Sequence, residues 1–165
     1  MIVRRATVDD AARIAAVMNA VIAEGDLTLF DRPFSEAQER AFIASLGSRS
    51  VLHVAEIDGE IVGVQSVDLY SSLSASLAHV ATMGTWLRAD ARGRGIGRAL
   101  AERSFAFART QGYQKIFITV LAGNIAAQRF YSGLGFELIG VAKAHVQLKG
   151  EMHDELLMEK SLRDE

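Results

Sequence analysis

The sequence predicts a mixed α/β fold, in which a twisted and mostly antiparallel sheet of six to seven strands is flanked by about four helices. Three observations support this prediction. Apolar residues recur at helical spacing in several segments, runs rich in β-branched residues alternate with them, and a glycine-rich loop joins one strand to one helix. A chain of 165 residues is close to the commonest domain size, so we expect one domain over residues 1–165.

The N-terminal third is predicted to form one strand and two helices. Residues 2–6 fit a short strand, and residues 24–34, between the two helices, are expected to be irregular. Each helix begins at a capping box and ends at a glycine. The first helix is capped by Thr7 with Asp10, ends at Gly25, and has an apolar face of Ile14, Val17, Met18, Val21 and Ile22. The second is capped by Ser35 with Gln38, ends at Gly47, and has an apolar face of Phe42, Ile43 and Leu46.

The middle of the chain is predicted to contribute three strands. Residues 51–57 and 61–70 are rich in apolar and β-branched residues, and Asp58-Gly59 between them favours the left-handed backbone of a tight hairpin. A serine-rich connection then leads to a third extended segment, residues 79–87. We therefore expect an antiparallel pair, followed by a strand that ends just before the glycine-rich loop.

The last third is predicted to contain two helices, a buried strand and a final hairpin. One helix follows Gly95 and ends near Gly112, and the next begins at Asn124. Residues 116–121 between them are almost continuously apolar, as in a strand that is covered on both faces. The final hairpin comprises residues 136–148 and 151–160 and turns at Lys149-Gly150.

Composition is typical of a folded, soluble protein. Hydrophobic residues make up 50% of the chain and charged residues 23%. The formal net charge of −2 gives no electrostatic reason to expect nucleic acid or an anionic membrane as a partner. The lack of cysteine excludes disulfides and thiolate metal sites. Charged residues near the N-terminus interrupt the apolar stretch that a signal peptide needs. No apolar run approaches the ~20 residues of a membrane span. We expect a cytoplasmic protein.

The glycine-rich loop between the third strand and the following helix is suited to bind a pyrophosphate. Its glycines let the backbone turn several N–H groups toward one point, and the N-terminus of the helix adds further unpaired donors. Three arginines would surround the same point with guanidinium groups, which bind phosphate oxygens in bidentate fashion. The residues expected to contact the phosphates are Arg92, Gly93, Arg94, Gly95, Ile96, Gly97 and Arg98.

Two other phosphate-binding motifs do not fit this loop. A P-loop ends in Gly-Lys-Ser/Thr, whereas Gly97 is followed by Arg-Ala. A dinucleotide fingerprint requires glycine at its sixth position, where counting from Gly93 gives Arg98 and counting from Gly95 gives Leu100. The P-loop interpretation therefore fails on residue identity, and the dinucleotide interpretation fails on spacing.

The remaining pattern, Arg-x-x-Gly-x-Gly between a strand and a helix, resembles the pyrophosphate motif of the GNAT superfamily of acetyl-CoA-dependent N-acetyltransferases. The resemblance covers nearly the whole chain in the family's order. Arg5-Ala6-Thr7 with Asp10 is similar to the usual opening, and residues 149–158 are similar to members that acetylate amino acids or protein N-termini. The second family motif is matched by Asn124, Ala127, Tyr131, Gly135 and Phe136.

This resemblance implies a donor, an acceptor and roles for individual residues. The donor is acetyl-CoA, no metal takes part, and the acceptor is a small primary amine, such as a free amino acid or a similar compound. Strands splay around the donor, where the backbone N–H of Leu87 contacts the thioester carbonyl and Tyr131 acts as general acid. Asn124 and Ala127 lie beside the pantetheine arm, although Asn124 also fits a helix N-cap. The sequence does not specify the oligomeric state, and a homodimer is one possibility, because relatives are often dimers.

Two other functions are consistent with the same motifs: acetylation of a protein N-terminus or lysine, and non-catalytic binding of acyl-CoA by a sensor. The acceptor contacts are expected in residues 27–34 and at Trp86, which also fits a plain core position.

The general base is not identified by the sequence. Many relatives carry a glutamate on the strand before the loop, and this chain offers His79 at a comparable distance, where an imidazole could accept a proton directly or through water. Deprotonation by bulk solvent is an alternative. Other candidate bases are Glu56, Asp68, His145 and Glu155.

Overall fold

The computed structural model describes residues 1–163, which form a single mixed sheet with helices on its faces. The strands are β1 (Ile2–Arg5), β2 (Val51–Ile57), β3 (Glu60–Leu69), β4 (Val80–Leu87), β5 (Lys115–Leu121), β6 (Glu137–Leu148) and β7 (Glu151–Ser161). Their order in the sheet is β1-β2-β3-β4-β5-β7-β6. Neighbouring strands are antiparallel except for β4 and β5, which are parallel. The predicted mixed, mostly antiparallel sheet is confirmed.

The helices of the described residues are α1 (Ala11–Glu24), α2 (Glu36–Ser45), α3 (Ile96–Thr110) and α4 (Ile125–Gly133). Both predicted capping boxes are present. The carboxylate of Asp10 accepts a hydrogen bond from the backbone N–H of Thr7 at 2.8 Å, and Ser35 and Gln38 bond reciprocally at the start of α2. Gly25 ends α1 with a φ of +94°, a left-handed conformation that favours glycine.

The two central strands separate partway along the sheet. Parallel pairing covers residues 80–82 of β4 and residues 115–117 of β5. Beyond this point β4 stays paired with β3 as far as Leu87, and β5 stays paired with β7 as far as Leu121. The ends of β4 and β5 therefore diverge and open a gap in the sheet, as the family resemblance implied.

Apolar clusters cover both faces of the sheet. The cluster beneath α1 and α2 includes Ile14 and Met18 and is joined by Trp86 of β4. The cluster beneath α3 and α4 includes Met83 of β4 and Tyr131 of α4. Successive strand residues point to opposite faces, so β4 supplies side chains to both sides of the gap.

The C-terminal hairpin completes the sheet by placing β7 beside β5. It turns at Lys149 and Gly150, whose φ values are +50° and +85°, as the sequence predicted. In the described part of the chain, no helix has the length and apolar character needed to cross a membrane.

Candidate active site

Residues 93–98 present a row of free backbone donors where α3 begins. Within residues 1–163, none of their N–H groups has a hydrogen-bond partner. Gly93 and Gly95 have φ values of +71° and +78°, which explains glycine at both positions. Unpaired N–H groups at a helix N-terminus attract an anion, so the loop fits the phosphate groups that the sequence assigned to it.

Packing leaves no room for a side chain at Gly97. A Cβ at this position would lie 2.8 Å from Cε2 of Phe130 and 3.2 Å from Cδ1 of Leu87. The first turn of α3 therefore lies directly against α4 and the end of β4. This contact holds the loop in a fixed position beside the gap in the sheet.

The sequence predicted that the guanidinium groups of Arg92, Arg94 and Arg98 surround one phosphate-binding point, but they do not. Arg92 donates to the carboxylate of Glu24 at 2.8 Å and to the carbonyl of Leu87 at 2.9 Å, and Arg98 donates to the carbonyl of Gly133 at 3.1 Å. Arg94 is exposed and makes no hydrogen bond with the residues that the structure describes. Arg92 and Arg98 are thus engaged in holding the framework, and Arg94 is the guanidinium left to meet a phosphate.

The backbone of Leu87 faces the gap. The N–H of Arg88 donates to the carbonyl of Val62 at 3.0 Å, and hydrogen-bonded pairs alternate along an antiparallel ladder. Leu87, opposite Gly63, therefore directs its N–H away from β3 and toward β5, where no strand pairs with it. The donor predicted at Leu87 is available.

A cavity of about 250 Å³ extends from this loop to Tyr131. We call it the donor cavity. Its lining residues come from α1, from the loop between α1 and α2, from the glycine-rich loop, from the end of β4 and from α4. Those predicted for the donor or for catalysis are Leu87, Arg92, Gly93, Asn124, Ala127 and Tyr131, and those not predicted for either role are Val21, Leu27, Thr85, Ala126 and Phe130.

Tyr131 is buried with its hydroxyl group held at the gap. The hydroxyl donates to Oγ1 of Thr85 at 3.0 Å, and Thr85 also accepts from Nε2 of Gln65 at 2.8 Å. Burial raises the pKa of Tyr131 to about 12, although the hydrogen bond with Thr85 opposes the shift. The sequence analysis missed Thr85 and Gln65, because only the pairing of β3 with β4 brings them together.

Asn124 connects α4 to the loop between α1 and α2. Its side-chain oxygen caps α4 by accepting from the N–H of Ala127 at 3.0 Å. Its side-chain nitrogen donates to the carbonyl of Leu27 at 3.1 Å. The N-cap role considered for Asn124 is present, and the same side chain also fixes the loop that borders the site.

A second cavity of about 340 Å³ adjoins the donor cavity and shares Thr85, Asn124 and Tyr131 with it. We call it the acceptor cleft. The rings of Phe30 and Trp86 stack with centroids 6.0 Å apart, and Phe34 meets Phe30 edge-on at 5.0 Å. The cleft is lined by residues 27–30, by Ser66, by residues 82–86, by residues 119–121, and by Asn124, Ala127 and Tyr131.

The structure does not bring His79 to either cavity. It precedes β4 at the end opposite Leu87, is exposed and lies beside Gln114 and Lys115 in a separate depression. Thr85 is six residues further along, or about 20 Å at the strand rise of ~3.3 Å per residue. His79 is therefore too far from Tyr131 to act on the same group.

The other candidate bases also lie outside the cleft. Glu56 is engaged by Arg4 at 2.7 Å, and Asp68 accepts a hydrogen bond from Ser50. Glu155 is buried on β7, and Nε2 of His145 lies 3.8 Å from its carboxylate. Tyr131 is the titratable side chain that lines the acceptor cleft.

The model of the Acetyltransferase (GNAT) family matches residues 19–136. This span contains the loop, α4 and both cavities. The chain belongs to the GNAT acetyltransferase family.

Individual relatives agree with this assignment. An N-acetylaspartate synthetase from Xenopus tropicalis is 30% identical over 97 residues, which cover 59% of this chain and 34% of that protein. The chain thus spans about a third of the relative's length. The L-methionine sulfoximine/L-methionine sulfone acetyltransferase of Pseudomonas aeruginosa is 25% identical over 143 residues, 84% of this chain and 81% of that protein.

Solved structures show the same fold. The structure of yncA, a putative acetyltransferase from Salmonella typhimurium with its cofactor acetyl-CoA, superposes with a TM-score of 0.92 at 21% identity. The match covers all of this chain, 100%, and 95% of that one.

Proposed function

We propose that this protein transfers an acetyl group from acetyl-CoA to the primary amine of a small molecule, a free amino acid or an amino-acid-like compound. The observation that carries the proposal is the Tyr131 hydroxyl group, held by Thr85 where the donor cavity meets the acceptor cleft. A donor in one cavity and an amine in the other would meet beside this hydroxyl. The amino-acid acceptors named for relatives support the acceptor class.

The proposed donor fits the loop and the end of β4. Free N–H groups at residues 93–98 and the exposed guanidinium of Arg94 suit a pyrophosphate. Acetyl-CoA supplies an activated acetyl thioester when bound. The N–H of Leu87 points into the gap, where it would stabilise negative charge that develops on the thioester oxygen during attack.

Tyr131 is proposed to donate its proton to the departing sulfur. The attacking nitrogen loses a proton to solvent as the amide forms, and solvent reprotonates Tyr131. With a pKa of about 12, the hydroxyl is protonated at neutral pH and is ready to donate. A free thiol has a pKa of ~8.5, which would make complete transfer from Tyr131 unfavourable in water. Burial raises the pKa of a thiol too, so the difference between the two pKa values would be smaller for a sulfur buried beside Tyr131 than for a thiol in water.

The amine is proposed to lose its proton to solvent, because the described residues that line the acceptor cleft include no carboxylate or imidazole. Only the neutral amine carries the lone pair needed for attack. The rate should therefore rise with pH until the pKa of the acceptor amine is reached, and amines of lower pKa should reach their maximum at lower pH.

The experiment is an acceptor screen with the purified protein, acetyl-CoA, free amino acids and short peptides. Release of CoA and formation of the acetylated product, detected by mass spectrometry, are both followed. Acetylation of free amino acids supports the proposal. Acetylation restricted to peptides would instead support action on protein N-termini or lysines, and binding of acetyl-CoA without any transfer would support a sensor.

A further inference from the structure

The side chains that line the acceptor cleft are all uncharged. Among residues 1–163, its lining contains no Asp, Glu, Lys, Arg or His, and its polar side-chain groups are hydroxyls, the indole N–H of Trp86 and the carboxamide of Asn124. The loop above the cleft does carry charges at Asp26, Asp31 and Arg32, but these side chains are exposed to solvent. The side chain of an acceptor inside the cleft therefore meets no ionic partner among the described lining residues.

A buried carboxylate lies next to the cleft. Glu155 is directly opposite Leu121 in the antiparallel pair of β5 and β7, so both side chains lie on one face of the sheet. Leu121 lines the cleft. Glu155 is 4% exposed, and its Oε1 has no hydrogen-bond partner within residues 1–163. Glu155 therefore lies beside Leu121 at the edge of the cleft, with Nε2 of His145 3.8 Å from its carboxylate. A second anion in the cleft would be repelled by this carboxylate.

The opposite wall of the cleft is aromatic. Trp86 lies over Gly84, where a Cβ would collide with the indole ring, and Phe30 stacks on Trp86. Phe30 is 41% exposed, so part of its ring is free to contact an occupant. Burial of an apolar group against such a wall is favourable.

We propose that the side chain of the acceptor, the part that enters the cleft, is uncharged and apolar or aromatic, and that acceptors with an acidic side chain are rejected. This inference rests on the proposed function, because it specifies the acceptor of that reaction. The α-carboxylate is common to all free amino acids and does not distinguish them, whereas a side-chain carboxylate buried in the cleft would lose its hydration and gain no ion pair, which is strongly unfavourable. An apolar group of the same size would lose nothing on leaving water.

The first test uses three acceptors of similar shape: L-leucine, L-asparagine and L-aspartate. Values of kcat/KM for acetylation should decrease in that order. A site that leaves a buried charge unpaired discriminates strongly, so we expect L-leucine to exceed L-aspartate by about a hundredfold or more. Equal values, or a preference for L-aspartate, would overturn the inference.

The second test changes the wall and uses a matched control. Phe30→Ala should raise the KM for L-leucine about tenfold and leave the KM for acetyl-CoA unchanged. Phe42→Ala removes a phenyl ring that is also 41% exposed, but from α2 and away from the cleft, so it should change neither value. If the two variants behave alike, Phe30 does not contact the acceptor.

A third test adds the missing cation. Thr119 is exposed and lines the cleft, so Thr119→Lys should raise kcat/KM for L-aspartate relative to L-leucine. Thr110→Lys, at the end of α3, is the control and should leave the ratio unchanged. A Thr119→Lys variant with the wild-type ratio would count against the role given to charge.

Failure of this inference and failure of the proposed function give different results. Turnover of any small amine supports the proposed function, whereas only the ranking of side chains tests the inference. If no amine is acetylated, calorimetric titration of L-leucine and of L-aspartate into protein saturated with CoA tests the inference. Binding of L-leucine but not L-aspartate supports the selectivity of the cleft, and equal binding or no binding overturns it.

Discussion

The hydroxyl group of Tyr131 depends for its position on residues from two other elements. Thr85 of β4 accepts its hydrogen bond, and Gln65 of β3 holds Thr85 in turn. Tyr131 could be singled out from the sequence because it belongs to a motif with fixed spacing. Thr85 and Gln65 could not, since their roles follow from the pairing of strands separated by a long connection. The catalytic role of Tyr131 stays a prediction.

Replacement of Tyr131 tests that role. Tyr131→Phe keeps the ring, which packs in the core, and removes the proton donor. We expect kcat for amine acetylation to fall by about a hundredfold, within the usual range for general acid catalysis, with little change in the Kd of acetyl-CoA. Steady-state kinetics and calorimetry measure the two quantities.

Tyr70→Phe is the matched control, because Tyr70 is 47% exposed and lies outside both cavities. A Tyr131→Phe enzyme as fast as the wild type would show that the sulfur receives its proton from another source.

The buried imidazole of His53 should make the free energy of unfolding depend on pH. It is buried beside Ser104 at 2.9 Å, and burial lowers its pKa to about 4, against ~6.5 in an unfolded chain. Between these values the unfolded chain binds a proton that the folded chain does not. The free energy of unfolding should therefore fall by about 3 kcal/mol as the pH decreases from ~6.5 to ~4.

Urea denaturation across this pH range measures the decrease. His53→Gln keeps a polar group near Ser104 but does not titrate, so its stability should depend less steeply on pH. His79→Gln changes an exposed histidine and should keep the wild-type slope. An unchanged slope in His53→Gln would show that other groups cause the acid sensitivity.

At the level of elements, the glycine-rich loop combines two kinds of residue. Gly93, Gly95 and the free N–H groups create the anion site, whereas Arg92 and Arg98 fix its surroundings. The sequence predicted the loop, its place between a strand and a helix, and its ligand class. It could not separate the arginines, because their partners Glu24 and Gly133 lie on other elements.

Arg94→Glu is expected to weaken acetyl-CoA binding by about tenfold or more, because it replaces the free guanidinium with a negative charge beside a phosphate. Calorimetric titration gives the Kd. Arg40→Glu makes the same change of charge on α2 and should leave the Kd unaltered. If Arg94→Glu binds acetyl-CoA as tightly as the wild type, the phosphates do not lie beside Arg94.

Arg92→Gln is expected to behave differently, because Arg92 joins Glu24 at the end of α1 to the carbonyl of Leu87. Loss of this link should loosen the end of β4 and lower kcat more than it raises the Kd of acetyl-CoA. Comparison of the two parameters with those of Arg94→Glu separates the roles. A Kd increase as large as that of Arg94→Glu would place Arg92 on the phosphates.

At the level of the whole molecule, the order of helices and strands was predictable from hydrophobic period, capping boxes and turn residues. The position of β7 between β5 and β6 was not, because sequence order does not determine strand order in a sheet. The gap between β4 and β5 was expected only from the family resemblance. Both cavities depend on that gap, so local sequence patterns alone could not reveal them.

Oligomeric state and cellular location are also properties of the whole molecule. The homodimer that the resemblance suggests and the cytoplasmic location expected from composition stay predictions. Size-exclusion chromatography with light scattering measures the first directly.

Transfer of a labelled acetyl group from acetyl-CoA to a free amine by the purified protein tests the central claim most directly. We predict formation of the labelled N-acetyl amine, with one CoA released for each product molecule, and a much slower reaction in Tyr131→Phe. Binding of acetyl-CoA with no label transferred to any amine or peptide would contradict the proposed enzyme.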